Sequence, residues 1–401
     1  MPTKPILLDE TGKDMVDLMR QQNALLQVIA SEKSAALFSD VKEIQRIVRS
    51  GNAPYYFNPG DKIIVPWKDV AADVTYDVPF NVVHRGYATL KNGDIVPGLY
   101  LQWHYATPFG IQFDNYEAFF YAETELPAGT YYITVGANWG TYCKAGETYS
   151  FTLTQPVPAG GQLAGFYNMP DKSSDNWKVY SFASAYDMTP IETVSVTAGA
   201  NGTSLGTFIP TGDETTNSIQ RVAYGYDRWS HSAIRQNLNS AEPVGKWWNP
   251  QNVYDRAPDQ LKTKAGFLSG FNEDFLSCLG EVKVITALNT VTDGGGLEET
   301  YDKFFLPSLE QMHITPQISG EGEMWEYWRL ASESASPLVY STPYPQMVTY
   351  ALENHASPQS VRLRSANRGA ASTAWGVYSS GGVTTYYAYD AHRCAPACVI
   401  C

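Results

Sequence analysis

Residues 369–390 read GAASTAWGVYSSGGVTTYYAYD, and nearly all of them are Gly, Ala, Ser, Thr or Tyr. These residue types suit non-covalent recognition, because Tyr supplies a large amphipathic contact area at low entropic cost and Ser and Gly adapt around it. The flanking sequences VRLRSANR and AHRCAPACVIC are different in character. We interpret this tyrosine-rich tract (residues 369–390) as a recognition surface on a fixed scaffold. An ordinary Gly/Ser/Tyr-rich loop is the alternative.

The composition of the chain end also suggests a genetic origin for the tract. From Ser365 onward there is no Lys, Glu, Gln or Met, although Lys and Glu are among the commonest residues in proteins. Randomising the adenines of Asn codons yields Tyr, Ser, Gly, Ala, Asp, Thr, His and Arg but never Lys, Glu, Gln, Met or Trp. The tract obeys this rule except at Trp375, so we predict that Trp375 belongs to the scaffold.

Cysteine chemistry is the second candidate. Cys394, Cys398 and Cys401 have the C-x3-C-x2-C spacing of radical-SAM iron–sulfur ligands, but such a motif is expected to open a large α/β barrel domain. The odd total of five cysteines argues against a disulfide framework. We therefore predict that the terminal cysteines are small buried apolar residues in a strand.

No other catalytic or metal-binding pattern is apparent. The six histidines are scattered without a metal spacing. The sequence GEGEMW at residues 320–325 lacks the third glycine of a phosphate loop, and no G-x-S-x-G elbow occurs. Acidic runs such as DKSSDN and TDGGGLEE lack a diagnostic calcium spacing. The sequence predicts no catalytic residue, no metal and no cofactor, with a calcium-dependent sugar site as the minor alternative.

Four segments of the chain belong together: YGYDRWSHSAIRQNLNS (residues 224–240), FFLPSLEQ (304–311), YALENHASPQSVRLRSANR (350–368) and HRCAPACVI (392–400). They resemble the variable proteins of diversity-generating retroelements, found in phages and prophages of gut bacteria. The C-terminal domain of that family resembles a C-type lectin fold, which is related to the fold of formylglycine-generating enzymes. The resemblance covers most of the chain and is strongest from about residue 221.

The resemblance implies a phage or prophage receptor-binding protein at a tail tip. Its partners would be a bacterial surface protein or glycan, further copies of itself as a homotrimer, and other virion tail proteins reached through the N-terminal helix. The alternatives are a structural virion protein or glycan-binding protein of fixed specificity, and a formylglycine-generating type of enzyme. The family's motif does not match Cys394 and Cys398 to a copper-binding pair, so the resemblance predicts no enzymatic activity.

Ligand contacts are predicted at the positions of the tract that would be diversified. They are Gly369, Ala370, Ser372, Thr373, Gly376, Tyr378, Ser380, Thr384, Thr385, Tyr386, Tyr387, Tyr389 and Asp390. The four tyrosines should contribute most of the binding free energy, because aromatic residues dominate such surfaces. The predicted scaffold residues are Arg362, Leu363, Arg364, Trp375, Val377, Val383 and Arg393. Arg364 and Arg368 are expected to fix the loop through buried or half-buried hydrogen bonds.

Length and charge restrict the setting of this site. A chain of 401 residues is long enough for two or three domains. The net charge of −13 argues against nucleic acid and anionic membranes as partners. No signal peptide and no stretch long enough to cross a membrane is apparent. We therefore expect synthesis in a bacterial cytoplasm without membrane insertion, and a working location in the virion.

Three regions are predicted to position the tract, in an α+β fold with a β-rich part. Residues 1–52 contain a helix over 12–50, which is either a trimeric stalk or packs on its own domain. Residues 53–206 are short aromatic and β-branched runs between turn signals, which predict an antiparallel sandwich or barrel. Within them, residues 55–107 either stay in this domain or join the C-terminal one, which would leave 112–206 as an inserted module.

Residues 207–401 form the predicted C-type-lectin-like variable domain. A helix is predicted to start near Ser230, with residues 232–238 as its body. Further helices are predicted at residues 259–268, 273–279 and 306–312, the last with Ser308 as a possible N-cap. The irregular segments between them need large buried side chains to hold them. The tryptophans expected in this core are Trp229, Trp247, Trp248, Trp325, Trp328 and Trp375.

Overall fold

The computed structural model describes residues 40–115, 120–136, 144–164, 176–180, 189–208, 225–252, 255–340 and 342–401. The strands are β1 Lys62–Asp69, β2 Val74–Thr89, β3 Ile95–Trp103, β4 Ile111–Gln112, β5 Phe120–Tyr121, β6 Gly129–Val135, β7 Thr148–Leu153, β8 Gln162–Ala164, β9 Asn176–Tyr180, β10 Pro190–Ser195, β11 Thr197–Ala198, β12 Thr203–Phe208, β13 Val282–Ala287, β14 Leu297–Asp302, β15 Phe304–Phe305, β16 Thr349–Tyr350, β17 Pro358–Gln359, β18 Val361–Ala366, β19 Thr373–Val377, β20 Val383–Tyr387, β21 Ala391–His392 and β22 Ala397–Ile400. The α-helices are α1 Val41–Arg49, α2 Ala53–Tyr56, α3 Ala233–Leu238, α4 Glu273–Cys278 and α5 Glu326–Ala331. Short 3-10 turns cover Trp229–His231, Asp259–Lys262, Phe267–Gly270 and Pro345–Met347.

The protein is β-rich and contains several antiparallel sheets. The largest sheet has the order β1-β2-β3-β22-β15, and every neighbouring pair in it is antiparallel. Ala397 lies opposite Gln102 and Ile400 lies opposite Leu99, so the last strand inserts beside β3. Residues 62–103 therefore share a sheet with the end of the chain, a grouping that the sequence left open.

A cluster of aromatic side chains packs beneath this sheet. Trp67, Trp103 and Phe267 have ring centroids 5.2–5.4 Å apart. Phe267 also meets Phe304 edge-on at 5.1 Å. These rings are buried and contribute both burial and favourable ring geometry. All six tryptophans predicted for the core are buried, as expected.

Two further sheets, β10-β9-β8-β5 and β11-β7-β6-β12, are formed by residues 120–208. Their pairs are antiparallel except for β12 with β6. The buried side chains of these sheets form their own hydrophobic cluster, which includes Phe151, Trp177 and Val179. This cluster is distinct from the one that joins residues 44–113 to residues 229–400. The predicted domain boundaries themselves stay predictions.

Most of the predicted N-terminal helix, residues 12–39, lies outside the described residues. Its described part is α1, which begins at Asp40, where the carboxylate accepts hydrogen bonds from the next backbone amides. Ile44, Ile47 and Val48 are buried and belong to the main hydrophobic cluster. This last part of the predicted helix therefore packs against the hydrophobic core of its own chain.

Of the four helices predicted within residues 207–401, two are observed and two are not. Helix α3 begins just after Ser232, whose hydroxyl accepts a hydrogen bond from the Arg235 amide, slightly later than the predicted start near Ser230, and α4 lies within the predicted residues 273–279. The helix predicted at residues 259–268 is wrong, because the backbone is extended at Gly266 and leaves only the separate 3-10 turns Asp259–Lys262 and Phe267–Gly270. The predicted helix at residues 306–312 is wrong, because this segment forms only turns. Ser308 does accept a hydrogen bond from the Gln311 amide, but His313 has φ of 59° and ends the turn. Within the described ranges, no helix is long and apolar enough to cross a membrane.

Candidate ligand-binding surface

The tyrosine-rich tract forms most of a three-stranded antiparallel sheet, β18-β19-β20. In the β19–β20 hairpin, Thr373 lies opposite Tyr387 and Val377 lies opposite Val383. The connecting turn is closed by the Tyr378 amide, which donates to the Gly382 carbonyl at 2.7 Å. Gly381 has φ of 85° there, a conformation that side chains disfavour. The tract is thus an ordered hairpin and not a loose loop.

The buried scaffold residues of this hairpin lie mainly on β19, whereas the accessible positions lie mainly on β20. Trp375, Val377 and Val383 are buried, as predicted for the scaffold. The Trp375 ring stacks on Tyr340 with centroids 4.4 Å apart, and its Nε1 donates to Gln317 Oε1 at 3.2 Å. Trp375, the residue that departs from the Asn-codon rule, is therefore fixed on both its ring face and its polar edge.

The outer surface of the hairpin carries tyrosines. Tyr378 and Tyr387 are 47% and 42% exposed, and Tyr387 stacks on Tyr389 at 5.7 Å. Tyr386 is half-buried between Tyr378, at 5.3 Å, and His392, at 3.9 Å between ring centroids. Gly369 and Ser380 are also exposed, and the remaining accessible positions are half-buried: Ala370, Thr373, Thr384, Thr385, Tyr389 and Asp390.

Two of the predicted contact residues are not on this surface. Ser372 is 1% exposed, and its carbonyl accepts a hydrogen bond from the Ala388 amide. Gly376 is buried in the middle of β19. A Cβ at Gly376 would lie 2.7 Å from the Val361 carbonyl oxygen and 2.8 Å from the Tyr386 ring. The prediction that these two positions face a ligand is wrong, because pairing with the neighbouring strands covers them.

Replacing Gly376 by Ala should therefore lower the free energy of unfolding by about 1–3 kcal/mol, the usual cost of overpacking. Gly369→Ala is the matched control, because a Cβ at Gly369 would meet no other atom within 4 Å. That control should be neutral or stabilise by less than about 1 kcal/mol. Urea unfolding of both variants measures the difference, and equal stabilities would contradict the packing described above.

Arg362 supports the hairpin from beneath. Its side chain is fully buried. Its guanidinium donates to the carbonyl oxygens of Tyr386 at 2.9 Å, Tyr387 at 2.7 Å and Asp390 at 3.0 Å, with a longer contact of 3.4 Å to Ala374. Burial lowers the pKa of Arg362 to about 10, which still leaves it charged at neutral pH. The Arg362 side chain thus binds the main chain of the tract and not the tract's side chains.

Arg364 is the second buried arginine of strand β18. It is fully buried and donates to the carbonyl oxygens of Ile285, Leu306 and Glu321 and to Gln311 Oε1. Burial also lowers its pKa to about 10. The buried hydrogen bonds predicted for Arg364 are therefore observed, but they hold neighbouring segments of the protein and not the tract.

The expected role of the Arg368 side chain is wrong, because Arg368 is exposed. It is the Arg368 main chain that is held. Its amide donates to Gln317 Oε1, and its carbonyl accepts from the Thr290 amide and hydroxyl. Arg362 belongs to the predicted scaffold, but its direct binding to the tract is not predicted from the sequence. The sequence feature that could have indicated this role is the pair of arginines at alternate positions of one strand, beside the apolar Val361 and Leu363.

His392 makes the hairpin sensitive to pH. Burial, with a smaller contribution from the Arg362 charge, lowers the pKa of His392 to about 3. The unfolded chain should protonate this residue near pH 6.5, whereas the folded chain does not. Its contribution to stability is therefore full above pH 6.5 and is lost as the pH falls below that value.

We expect the free energy of unfolding to fall between pH 6.5 and pH 5 by about 1 kcal/mol more in the wild type than in His392→Gln. Urea unfolding at several pH values in that range tests this. His104, whose pKa burial lowers to about 4, titrates equally in both proteins and does not affect the difference. Identical pH profiles would show that His392 ionises freely in the folded state.

The cysteines in the described part of the chain are not placed for chemistry. Cys394, Cys398 and Cys401 are free and buried, as predicted. Cys278 is free and buried as well, and Cys143 lies outside the described residues. Burial raises the pKa of Cys394 to about 12 and that of Cys398 well above its ordinary value. Such thiols are poor nucleophiles and poor metal ligands. The described residues contain no group of three or more His, Cys, Asp or Glu side chains that could hold a metal ion.

Comparison with known proteins adds one match. No curated protein and no solved structure matches the chain. Residues 207–400, which contain the whole tyrosine-rich tract, match the model of a family described as a domain of unknown function (DUF6273).

Proposed function

We propose that the chain is a receptor-binding protein of a phage or prophage tail, and that its tyrosine-rich tract is a diversified site for a bacterial surface protein or glycan. One observation carries this proposal. Arg362 fixes the tract through the carbonyl oxygens of Tyr386, Tyr387 and Asp390, and these atoms are present whatever the side chains are. A hairpin held in this way tolerates many different side chains on its outer surface without losing its shape.

The burial pattern of the same hairpin supports the proposal. The buried Trp375, Val377 and Val383 are the members of the scaffold within the tract. Tyr378 and Tyr387 project from it and supply the aromatic contact area that interfaces use for much of their binding free energy. The mechanism is non-covalent recognition, and several copies in one assembly would raise the avidity of a weak single site.

A C-type-lectin-like fold, built from residues 207–401 together with residues 62–103, is part of the proposal. It is supported by the pairing of β22, at the chain end, with β3 near the start of the described residues, since lectin-like folds often pair chain ends. It also agrees with long irregular segments held by buried tryptophans such as Trp229 and Trp248. A trimeric arrangement through residues 1–52, and their attachment to other tail proteins, are proposed on the family resemblance alone.

The decisive experiment is deep sequencing of the 3′ end of the gene in its source population, together with the neighbouring DNA. We expect substitutions confined to adenine positions of a nearby template repeat, within the codons for residues 369–390. The codons for the scaffold residues Arg362 and Trp375 should not vary. A uniform tract without a template repeat would exclude diversification and leave a binding protein of fixed specificity.

An enzyme of the formylglycine-generating type is the competing class. It would need reactive cysteines, and the buried Cys394 and Cys398, with their raised pKa values, do not favour it. Substituting both by Ser discriminates between the classes. Loss of a turnover activity in a variant that still folds would favour the enzyme, whereas unchanged binding to bacterial cells supports the receptor-binding proposal.

A further inference from the structure

A cavity of about 280 Å³ lies outside the tyrosine-rich tract. It is enclosed by strands β2 and β3, strand β13 and the segment of residues 320–325, whose sequence is GEGEMW. None of the residues that line it belongs to residues 369–390. The receptor-binding proposal therefore does not account for this cavity.

The glycines of the GEGEMW segment shape one wall of the cavity. Gly320 and Gly322 have φ angles of 108° and 128°, which side chains rarely adopt. Between them, Glu321 turns inward and is 1% exposed, while the side chain of Glu323 is 86% exposed at the rim. Both the Gly320 and Glu321 amides donate to the Glu310 carboxylate, at 2.9 and 2.8 Å. The wall is therefore a defined structure and not a loose loop.

The inward carboxylate is held in place by hydrogen bonds. Glu321 accepts them from the Ala287 amide at 3.1 Å and the Ser365 hydroxyl at 2.5 Å. Beside it, Arg364 and Gln311 are buried and bonded to each other. Gln311 uses its Oε1 for Arg364 and for the Ser308 amide, and its Nε2 makes no hydrogen bond within the described chain. This amide can donate to a molecule in the cavity.

The ionisable groups that line the cavity are of both signs, with Lys283 and Arg364 basic and Glu321 and Glu323 acidic. Arg364 already donates to protein oxygens, so the polar groups left to a ligand are Lys283, the Gln311 Nε2 and Glu323. They include both donors and an acceptor, which suits a neutral ligand that both accepts and donates. The aromatic rings of Tyr100 and Trp325 supply apolar faces. His84 adds a polar edge, with its Nε2 3.3 Å from the Glu323 carboxylate.

We propose that this cavity is a second binding site, which takes a compact uncharged polyhydroxylated molecule the size of one sugar ring. Its volume lies just below the roughly 300–1,000 Å³ of typical ligand pockets, so a single small ring is the largest occupant that fits. Hydroxyl groups can both donate and accept, which suits the mixed lining, and the ring's apolar face suits Tyr100 and Trp325. The site is independent of the tract and of its proposed diversification.

Saturation-transfer NMR on the full chain tests this with D-glucose, D-galactose, N-acetyl-D-glucosamine and myo-inositol, each at millimolar concentration. We expect at least one of them to receive saturation and to quench the fluorescence of buried tryptophan. Thr89→Phe should fill the cavity, because Thr89 lines it, and should weaken binding by at least about tenfold. Thr75→Phe is the matched control, because Thr75 is exposed on the same strand, and should bind as the wild type does.

Lys283→Met is a second variant with nearly the same volume, and it is the one to interpret if Thr89→Phe does not fold. It should also weaken binding of the same probe. The proposal is overturned if none of the four probes binds, or if binding is the same in the wild type and in the folded cavity variants. Tyr378→Ala, in the tract, should leave probe binding unchanged, which separates this site from the proposed receptor-binding surface.

Discussion

Replacing Arg362 by Met should lower the free energy of unfolding by about 4 kcal/mol, among the largest effects expected of a single substitution. The substitution removes the donors that reach the carbonyl oxygens of Tyr386, Tyr387 and Asp390. Met fills much of the same space but leaves these oxygens without a partner. An unsatisfied buried acceptor costs about 1–3 kcal/mol, so several of them together account for the expected loss.

Two further variants separate the charge of Arg362 from its geometry. Arg362→Lys keeps a positive charge but lacks the planar fork that reaches several oxygens at once, so it should lose about half as much stability as the Met variant. Arg368→Met, at an exposed position, should change stability by less than about 0.5 kcal/mol. Urea unfolding measures all three. Hydrogen exchange should show faster exchange of the β20 amides in the Met variant, before the rest of the domain.

An Arg362→Met protein as stable as the wild type would contradict this description of the tract. It would mean that the hairpin is held by its side chains or by its neighbours. The tract would then not tolerate the free variation of its side chains that a diversified site requires. The stability of this one variant therefore tests the proposed function as well as the fold.

The parts of the fold that depend on local signals could be predicted from the sequence. Helix α3 begins at the capping residue Ser232, because a cap and the apolar spacing after it lie within a few residues. Burial of the large tryptophans follows from their apolar surface. The helix predicted over Leu306–Met312 does not form, although Ser308 accepts the expected capping hydrogen bond. A capping residue does not reveal that Arg364 donates to the Gln311 side chain. Nor does it reveal that the chain turns at His313.

Composition shows where the candidate site lies in the sequence, but it does not show which of its side chains are buried and which are exposed. Ser372 and Gly376 look like any other small residue of the tract, and their burial depends on the register of β19 with its neighbours. A shift of one residue would exchange the two faces, and the sequence alone does not specify that register. The partner of β22 is equally non-local, because β3 lies about 300 residues earlier. Long-range pairing is the information that local patterns lack.

The two most exposed tyrosines of the tract should dominate binding and contribute little to stability. Tyr378 and Tyr387 are 47% and 42% exposed, so Ala at either position should cost less than about 1 kcal/mol of folding free energy. If the tract contacts a receptor, each loss removes a large aromatic contact. Hot-spot tyrosines typically contribute about 2 kcal/mol or more, which corresponds to a weakening of about thirtyfold.

Flow cytometry of the labelled protein on a panel of gut bacterial strains measures this binding, with dissociation constants determined on each strain that the wild type stains. Tyr378→Ala and Tyr387→Ala should each weaken binding by about tenfold or more. Tyr55→Ala is the matched control, because Tyr55 is 83% exposed and lies outside the tract, and it should bind normally. Equal binding by all three variants, or no strain stained by the wild type, would argue against a receptor-binding surface here.

Because Arg362 holds the main chain, Tyr387→Ser and Thr385→Asp should also fold normally. Each should change which strains are stained, and this is the behaviour that a diversified site requires.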